Sequence, residues 1–163
     1  MSSSPAQLPL FESLYQQYRP MVLQVCLGYV QGDRDQAKDL AQEIFINVWR
    51  ALPQFRSEAS PKTWIYRITV NTCLMYIRTT RRKEKVAQEA VALSDQFEWL
   101  EEGEREYQPL YQAIGKLPEL ERLIIMMVLD ELDYEEISRV VGINAVNLRV
   151  RIYRIKNKLR KLL

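Results

Sequence analysis

The sequence of 163 residues contains no histidine and only two cysteines, Cys26 and Cys73. Catalytic triads and general bases that depend on histidine are therefore excluded. A structural zinc site usually takes four cysteine or histidine ligands, which is more than this chain can supply. The composition thus predicts neither a metal site nor an enzyme.

Glycine is scarce, and long apolar runs are missing. The five glycines are isolated, so the chain has neither a phosphate-binding glycine loop nor a dinucleotide-binding motif, and we expect no cofactor. No segment reaches the roughly 20 apolar residues of a membrane span, and the first ten residues do not resemble a signal peptide. Both cysteines lie in apolar helical patterns, which is typical of buried, inert thiols. These features predict a reduced, cytoplasmic protein without membrane insertion.

The charge is unevenly distributed along the chain. Lysine and arginine number 23 and aspartate and glutamate 21, which gives a net charge of only +2. Residues 62–83 carry six basic side chains and no acid, and residues 139–163 carry eight and no acid. Residues 84–107 carry eight acids against two bases. Two acid-free basic segments favour a polyanion as the partner, and nucleic acid is the first choice over a membrane surface.

Apolar residues recur at helical spacing, and no segment alternates as a half-buried strand does, so we predict an all-α fold. Residues 1–83 form a first helical domain, with helices over 10–30, 33–52 and 60–78. Residues 84–107 form an acidic, flexible linker, and residues 108–163 form a second helical domain. The helix-start signals are Asp33, Ser60 before Pro61, Asp133 and Asn144.

The last two helices have the pattern of a DNA-binding helix-turn-helix. Asp133 and Asn144 begin the two helices, and Gly142 marks the short turn between them. In the last helix the apolar stripe comprises Leu148, Ile152, Ile155, Leu159 and Leu162. Basic residues cover the remaining faces, as expected of a recognition helix in a major groove.

Three blocks of residues resemble the sigma-70 superfamily of bacterial transcription initiation factors, in particular its extracytoplasmic-function (ECF) group. The blocks are residues 39–49, residues 55–58 with 63–72, and residues 117–119 with 133–138 and 142–143. They are similar to the segments that bind core RNA polymerase, capture the −10 promoter element and read the −35 element. The resemblance implies a sigma-2-like helical bundle over 1–83 and a sigma-4-like helix-turn-helix domain over 108–163.

The resemblance also implies three sets of binding residues. For core polymerase we expect a face of the second helix made of Asp39, Gln42, Glu43, Ile46, Asn47 and Arg50. For the −10 element we expect Arg56, Ser57, Lys62, Trp64, Arg67, Asn71 and Arg78. For the −35 element we expect Asn144, Asn147, Arg149, Val150, Arg151, Arg154 and Lys158. Trp64 has a second interpretation, since it could pack in the core instead of stacking on a base.

Four residues depart from the usual family pattern. Ser57 stands where a glycine is common, and Met75 stands where a polar residue is frequent, so the base accepted at the −10 element could differ. Val146 and Val150 replace small or polar residues at the start of the recognition helix. They could touch thymine methyl groups or pack on a protein that masks the helix.

These observations predict a dissociable sigma factor that directs core RNA polymerase to promoter DNA and helps melt the −10 region. The resemblance further implies an anti-sigma protein as a partner. Two alternatives remain at this point. One is a stand-alone helix-turn-helix regulator, which would need a dimer to read paired half-sites. The other is a helical adaptor whose basic faces bind acidic proteins.

Overall fold

The computed structural model describes residues 6–56, 60–83 and 106–163, with the side chains of residues 77–83 left out. These residues form seven α-helices and a short 3-10 turn, and the described ranges contain no strand. The all-α prediction is therefore confirmed. The helices are α1 (Gln7–Tyr29), α2 (Arg34–Ala51), α3 (Pro61–Lys83), α4 (Gln108–Ile114), α5 (Glu119–Leu129), α6 (Tyr134–Val141) and α7 (Ala145–Leu162), with the 3-10 turn over Leu52–Gln54 after α2.

Four helices begin at the side chains that the sequence indicated. In each case an oxygen of the capping side chain accepts a hydrogen bond from a backbone N–H three residues later, at 2.8 to 3.2 Å. This contact satisfies one of the free N–H groups at the helix start. The pairs are Asp33 with Gln36, Ser60 with Thr63, Asp133 with Glu136, and Asn144 with Asn147.

The first domain packs α1, α2 and α3 against one another. The predicted inward stripe of α2 is buried, and with it the residue that follows the helix: Leu40, Ile44, Phe45, Val48 and Leu52. Cys26 of α1 and Cys73 of α3 are fully buried in this core. Burial, together with the neighbouring Cys73 thiol, raises the pKa of Cys26 well above its ordinary value. The prediction of buried thiols is confirmed.

The second domain contains α4 to α7, and α7 packs against α4, α5 and α6. Four of the five residues predicted for its inward stripe are buried: Leu148, Ile152, Ile155 and Leu159. The fifth, Leu162, is 40% exposed, so its prediction as a core residue was wrong. Leu162 is the last residue of α7.

The two domains contact each other along a surface that we call the seam. Here α1 packs against α4 and α5, and α3 packs against α5 and α6. Buried residues of both domains belong to one continuous hydrophobic cluster. Nearly all of the predicted linker, residues 84–105, lies outside the described residues. Within the described ranges no helix is long and apolar enough to cross a membrane.

Candidate nucleic-acid and protein-binding surfaces

The outer face of α7 forms an open, basic surface. α6 ends at Gly142, whose φ of 73° lies in the left-handed region that favours glycine. The Ser138 hydroxyl donates a hydrogen bond to the Ile143 carbonyl and fixes the turn. α7 then begins directly after its N-cap residue, Asn144, and packs its apolar stripe against the rest of the domain. This is the helix-turn-helix arrangement that the sequence predicted.

A shallow cleft of about 560 Å³ runs along this face of α7. Five of the seven residues predicted for the −35 element line it: Asn147, Val150, Arg151, Arg154 and Lys158. All five are exposed. The concave, positively charged shape suits a phosphate backbone with base edges nearby.

The other two predicted residues have different positions. Arg149 is exposed but does not line the cleft, because it lies two residues from Asn147 and Arg151, on the opposite side of the helix. The side-chain oxygen of Asn144 is already engaged with the Asn147 backbone N–H at 2.9 Å. Asn144 therefore has a structural role whether or not it meets DNA.

One acid enters the basic cleft. Glu121 of α5 accepts from the Lys158 ammonium at 3.1 Å, and its side chain is only 14% exposed. Glu121 therefore offsets the charge of Lys158 and leaves Arg151 and Arg154 as the stronger cations of the cleft. The sequence reasoning missed this pair, because the two residues are 37 positions apart.

The predicted −10 residues occupy two sides of α3. Arg67 and Asn71 are exposed and share a face with Trp64. The Trp64 ring is half-buried and packs on Phe55, with the ring centroids 4.5 Å apart. The packing interpretation of Trp64 therefore agrees with the structure. Lys62 lies on the other side of the helix, where its ammonium is 3.3 Å from the Asp130 carboxylate of the second domain.

The remaining −10 residues lie near the loop before α3. Arg56 is exposed at the end of the preceding segment. Ser57 lies outside the described residues, as does the Arg78 side chain. The structure thus brings Trp64, Arg67 and Asn71 together and places Lys62 apart from them.

A second cleft, of about 270 Å³, lies between α2 and α3. Its lining combines Asn71 with two residues predicted for polymerase, Glu43 and Asn47. The Asn47 amide donates to the Thr72 hydroxyl at 3.0 Å. The exposed Met75 also lines this cleft. A surface predicted as two separate sites is therefore continuous across the two helices.

The outer face of α2 is accessible over most of its predicted extent. The exposed members are Asp39, Gln42, Glu43, Ile46 and Arg50. Ile46 is 49% exposed, so a large apolar side chain lies among the polar residues of this face. Asn47 is half-buried by its contact with Thr72. Such a face suits a protein partner, because an exposed apolar residue in a polar surround can be covered on docking.

Metal binding has no site among the residues that the structure describes, since no three carboxylate or thiol groups are grouped to hold an ion. The described surfaces instead consist of a basic face on α7, a face of α3 with Arg67 and Asn71, and a mixed face on α2. Their arrangement is chemically equipped for binding nucleic acid and protein.

Comparison with known families identifies the two domains. Residues 14–83 match the family model described as Sigma-70 region 2, and residues 107–159 match the model described as Sigma-70, region 4. The matched segments follow the two helical domains closely. The fold and the order of the two regions define a sigma-type transcription protein.

Relatives extend this match along nearly the whole chain. The ECF RNA polymerase sigma-E factor of Escherichia coli (strain K12) is 32% identical, and the match covers 94% of this chain and 88% of that protein. The RNA polymerase sigma-H factor of Pseudomonas aeruginosa is 29% identical, with coverage of 94% and 86%. The chain therefore belongs to the ECF group of the sigma-70 family.

Two solved structures share the fold. The sigma factor RpoE from Bartonella quintana, in complex with the anti-sigma factor NepR, aligns with a TM-score of 0.68 and 20% identity, over 93% of this chain and 95% of that one. CnrH in complex with the cytosolic domain of CnrY aligns with a TM-score of 0.66 and 21% identity, over 93% and 86%. At these identities the likeness concerns the fold alone.

Proposed function

We propose that this protein is a promoter-specificity subunit, which binds core RNA polymerase and directs it to particular transcription start sites. The observation that carries the proposal is the ordered pair of sigma regions 2 and 4 in one chain, the second with an exposed basic helix face. Catalysis belongs to the polymerase, and the present chain supplies recognition.

The cleft along α7 is the proposed contact for the −35 element. Arg151 and Arg154 line this cleft and can neutralise phosphates or reach guanine edges. Val150 is 47% exposed beside them and can contact a thymine methyl group. Sequence preference at this element therefore comes from a mixture of charged and apolar contacts.

The exposed face of α3 is the proposed contact for the −10 element. A single strand is held by positive charge, planar groups and a pocket for an unstacked base. Arg67 supplies charge, and Asn71 lines the cleft between α2 and α3. Trp64 supports the face by packing on Phe55 and does not need to stack on a base itself.

The outer face of α2 is the proposed docking surface for core polymerase. Its exposed acids and Ile46 are close to the cleft that contains Asn71. Polymerase docking and strand capture would therefore occur on adjoining surfaces of one domain. An anti-sigma protein is a further proposed partner, because one similar solved structure is a sigma factor in complex with an anti-sigma factor.

Transcription reconstituted from purified components tests the function. Core polymerase with this protein should initiate at discrete positions on fragments of the source genome, and core polymerase alone should not. The protein should also co-purify with core polymerase. Loss of both results would overturn the proposal.

The stand-alone regulator and the adaptor are not favoured by the family match. Each of these two alternatives predicts a binding result that differs from that of a sigma factor. A stand-alone regulator binds duplex DNA specifically without polymerase, as a dimer on paired half-sites. An adaptor binds a protein partner and shows no affinity for DNA in any context.

A further inference from the structure

Three large apolar side chains form a line along the outward side of α7, which we call the apolar ridge. Val146, Val150 and Tyr153 are 74%, 47% and 68% exposed. They follow one another at spacings of four and three residues, so they lie on one line along the helix. The buried stripe of α7 lies on the opposite side of the helix. The ridge is therefore the part of α7 that projects farthest from the domain.

Basic side chains flank the apolar ridge on both sides, and all of them are exposed. Arg151, Arg154 and Lys158 lie on the side of the cleft, and Arg149, Lys156 and Arg160 lie on the other side. Exposed apolar residues that are scattered singly over a surface need no explanation. Here they share one line, and the charges lie beside it. The exposed surface of α7 thus has an apolar centre and two cationic margins.

The charges of this surface favour DNA as its occupant. Residues 139–163 carry eight basic side chains and no acid, so a second copy of α7 would present charge of the same sign. A DNA duplex has the complementary arrangement, because its major groove admits a helix, exposes base edges at its floor and is bordered by phosphates. The apolar ridge would then face the base edges, and the cationic margins would face the two backbones.

The thymine C5-methyl is the apolar group that base pairs present in the major groove. A valine side chain neither donates nor accepts a hydrogen bond, so it can favour a base there only through such a group. Val146 and Val150 lie near the start of α7, where recognition helices contact base edges. They are about 6 Å apart along the helix axis, or about two base-pair steps. Tyr153 lies farther along, where its hydroxyl can donate to a phosphate.

We propose that the apolar ridge reads the upstream promoter element through thymine methyl groups, with Val146 and Val150 as the specificity-determining pair. The flanking cations hold α7 in the groove. The preferred element then contains two thymines, on either strand, about two base pairs apart. The inference rests on the proposed function, because it assumes that α7 meets the −35 element.

The exchange of thymine for uracil tests this readout, because the two bases differ only by the C5-methyl group. A promoter found by reconstituted transcription supplies the fixed downstream sequence. Its upstream element is randomised in two duplex libraries, one with thymine and one with uracil, and each is selected by core polymerase carrying this protein. Thymine should be enriched at two positions, and uracil should not be enriched at either. Equal enrichment of the two bases would overturn the proposal.

Valine substitutions assign each methyl group to its side chain. In the selected promoter, uracil at one of the two positions should weaken binding by the wild-type complex about fourfold, which corresponds to burial of one methyl group. Val150→Ala should abolish the effect of uracil at one position and keep it at the other, and Val146→Ala should do the reverse. This double-mutant cycle isolates the contact between side chain and methyl. Full sensitivity at both positions in both variants contradicts the proposal.

Leu129→Ala is the matched control, because Leu129 is 48% exposed in the same domain and belongs to α5. It should change neither the affinity nor the effect of uracil. If the valine variants instead co-purify less with core polymerase and keep the thymine selection, the ridge docks a protein and the proposal is rejected. A complex that selects no sequence from either library rejects the sigma function and this readout with it. Selection without dependence on the methyl group retains the sigma function and rejects the readout alone.

Discussion

At the scale of single residues, a substitution of Asn71 distinguishes strand capture from polymerase docking. Its side chain is exposed and lines the cleft between α2 and α3. Asn71→Ala should leave folding nearly unchanged, as exposed substitutions usually do. It should weaken promoter melting by up to about tenfold, the value of one or two hydrogen bonds to an unpaired base. Permanganate reactivity of the −10 region measures melting, and co-purification measures core binding; equal losses would show that Asn71 has another role.

Two arginines of α7 offer an internal comparison. Arg151 lines the cleft and Arg149 does not, although both are exposed and carry the same charge. Arg151→Ala should weaken specific promoter binding by about 1 to 3 kcal/mol if it reads a base edge. Arg149→Ala should have a clearly smaller effect. Competition between promoter and random duplex measures the difference, and equal effects would mean that α7 docks in another orientation.

At the scale of helices, local signals explain why so much of the fold could be predicted. A capping side chain and the N–H that it binds are three residues apart, so Asp133 and Asn144 indicate helix starts without tertiary information. The prediction of buried residues in α7 was wrong only for Leu162, at the end of the helix. α3 continues to Lys83, past the predicted end near residue 78. Helix ends are where local pattern is weakest.

The cap of α7 gives a prediction at this scale. Asn144→Ala should lower the free energy of unfolding by about 1 kcal/mol, because the Asn147 N–H loses its acceptor. Asn144→Ser keeps an acceptor and should restore most of the stability. Urea denaturation followed by circular dichroism measures both. If the serine variant regains stability but not promoter binding, the amide contacts DNA directly and the role of Asn144 is not limited to capping.

At the scale of the whole molecule, the seam and the two internal charge pairs could not be predicted from the sequence. Lys62 and Asp130 are far apart in the chain, and nothing in either local pattern indicates that they meet. The same holds for Glu121 and Lys158. The basic segments were recognised correctly, but which cations are opposed depends on the tertiary contacts. Charge counts along the chain therefore indicate the class of partner, whereas the ion pairs of individual cations depend on the fold.

The buried Cys26 thiol and the Tyr29 and Tyr66 hydroxyls predict that the protein loses stability at alkaline pH. The ordinary pKa values are 9.0 for Cys26 and 10.0 for Tyr29 and Tyr66, and burial raises all three in the folded protein. Because the unfolded chain releases these protons more readily, stability is fully present below pH 9.0 and falls as the pH rises above it. Urea denaturation at a series of pH values measures this. Cys26→Ala should move the onset toward 10.0, and a constant free energy up to pH 11 would contradict the prediction.

The seam, where α1 packs against α4 and α5 and α3 packs against α5 and α6, also makes the two domains complementary surfaces. If the chain is divided between them, each half exposes buried groups of the shared cluster, such as Tyr29 on one side and Met126 on the other. Separate expression should therefore give two fragments of reduced solubility, since large exposed apolar patches promote association. Mixed together, the halves should reassemble as a bimolecular complex. We therefore expect division of this protein to yield a fragment-complementation pair and not two independent modules.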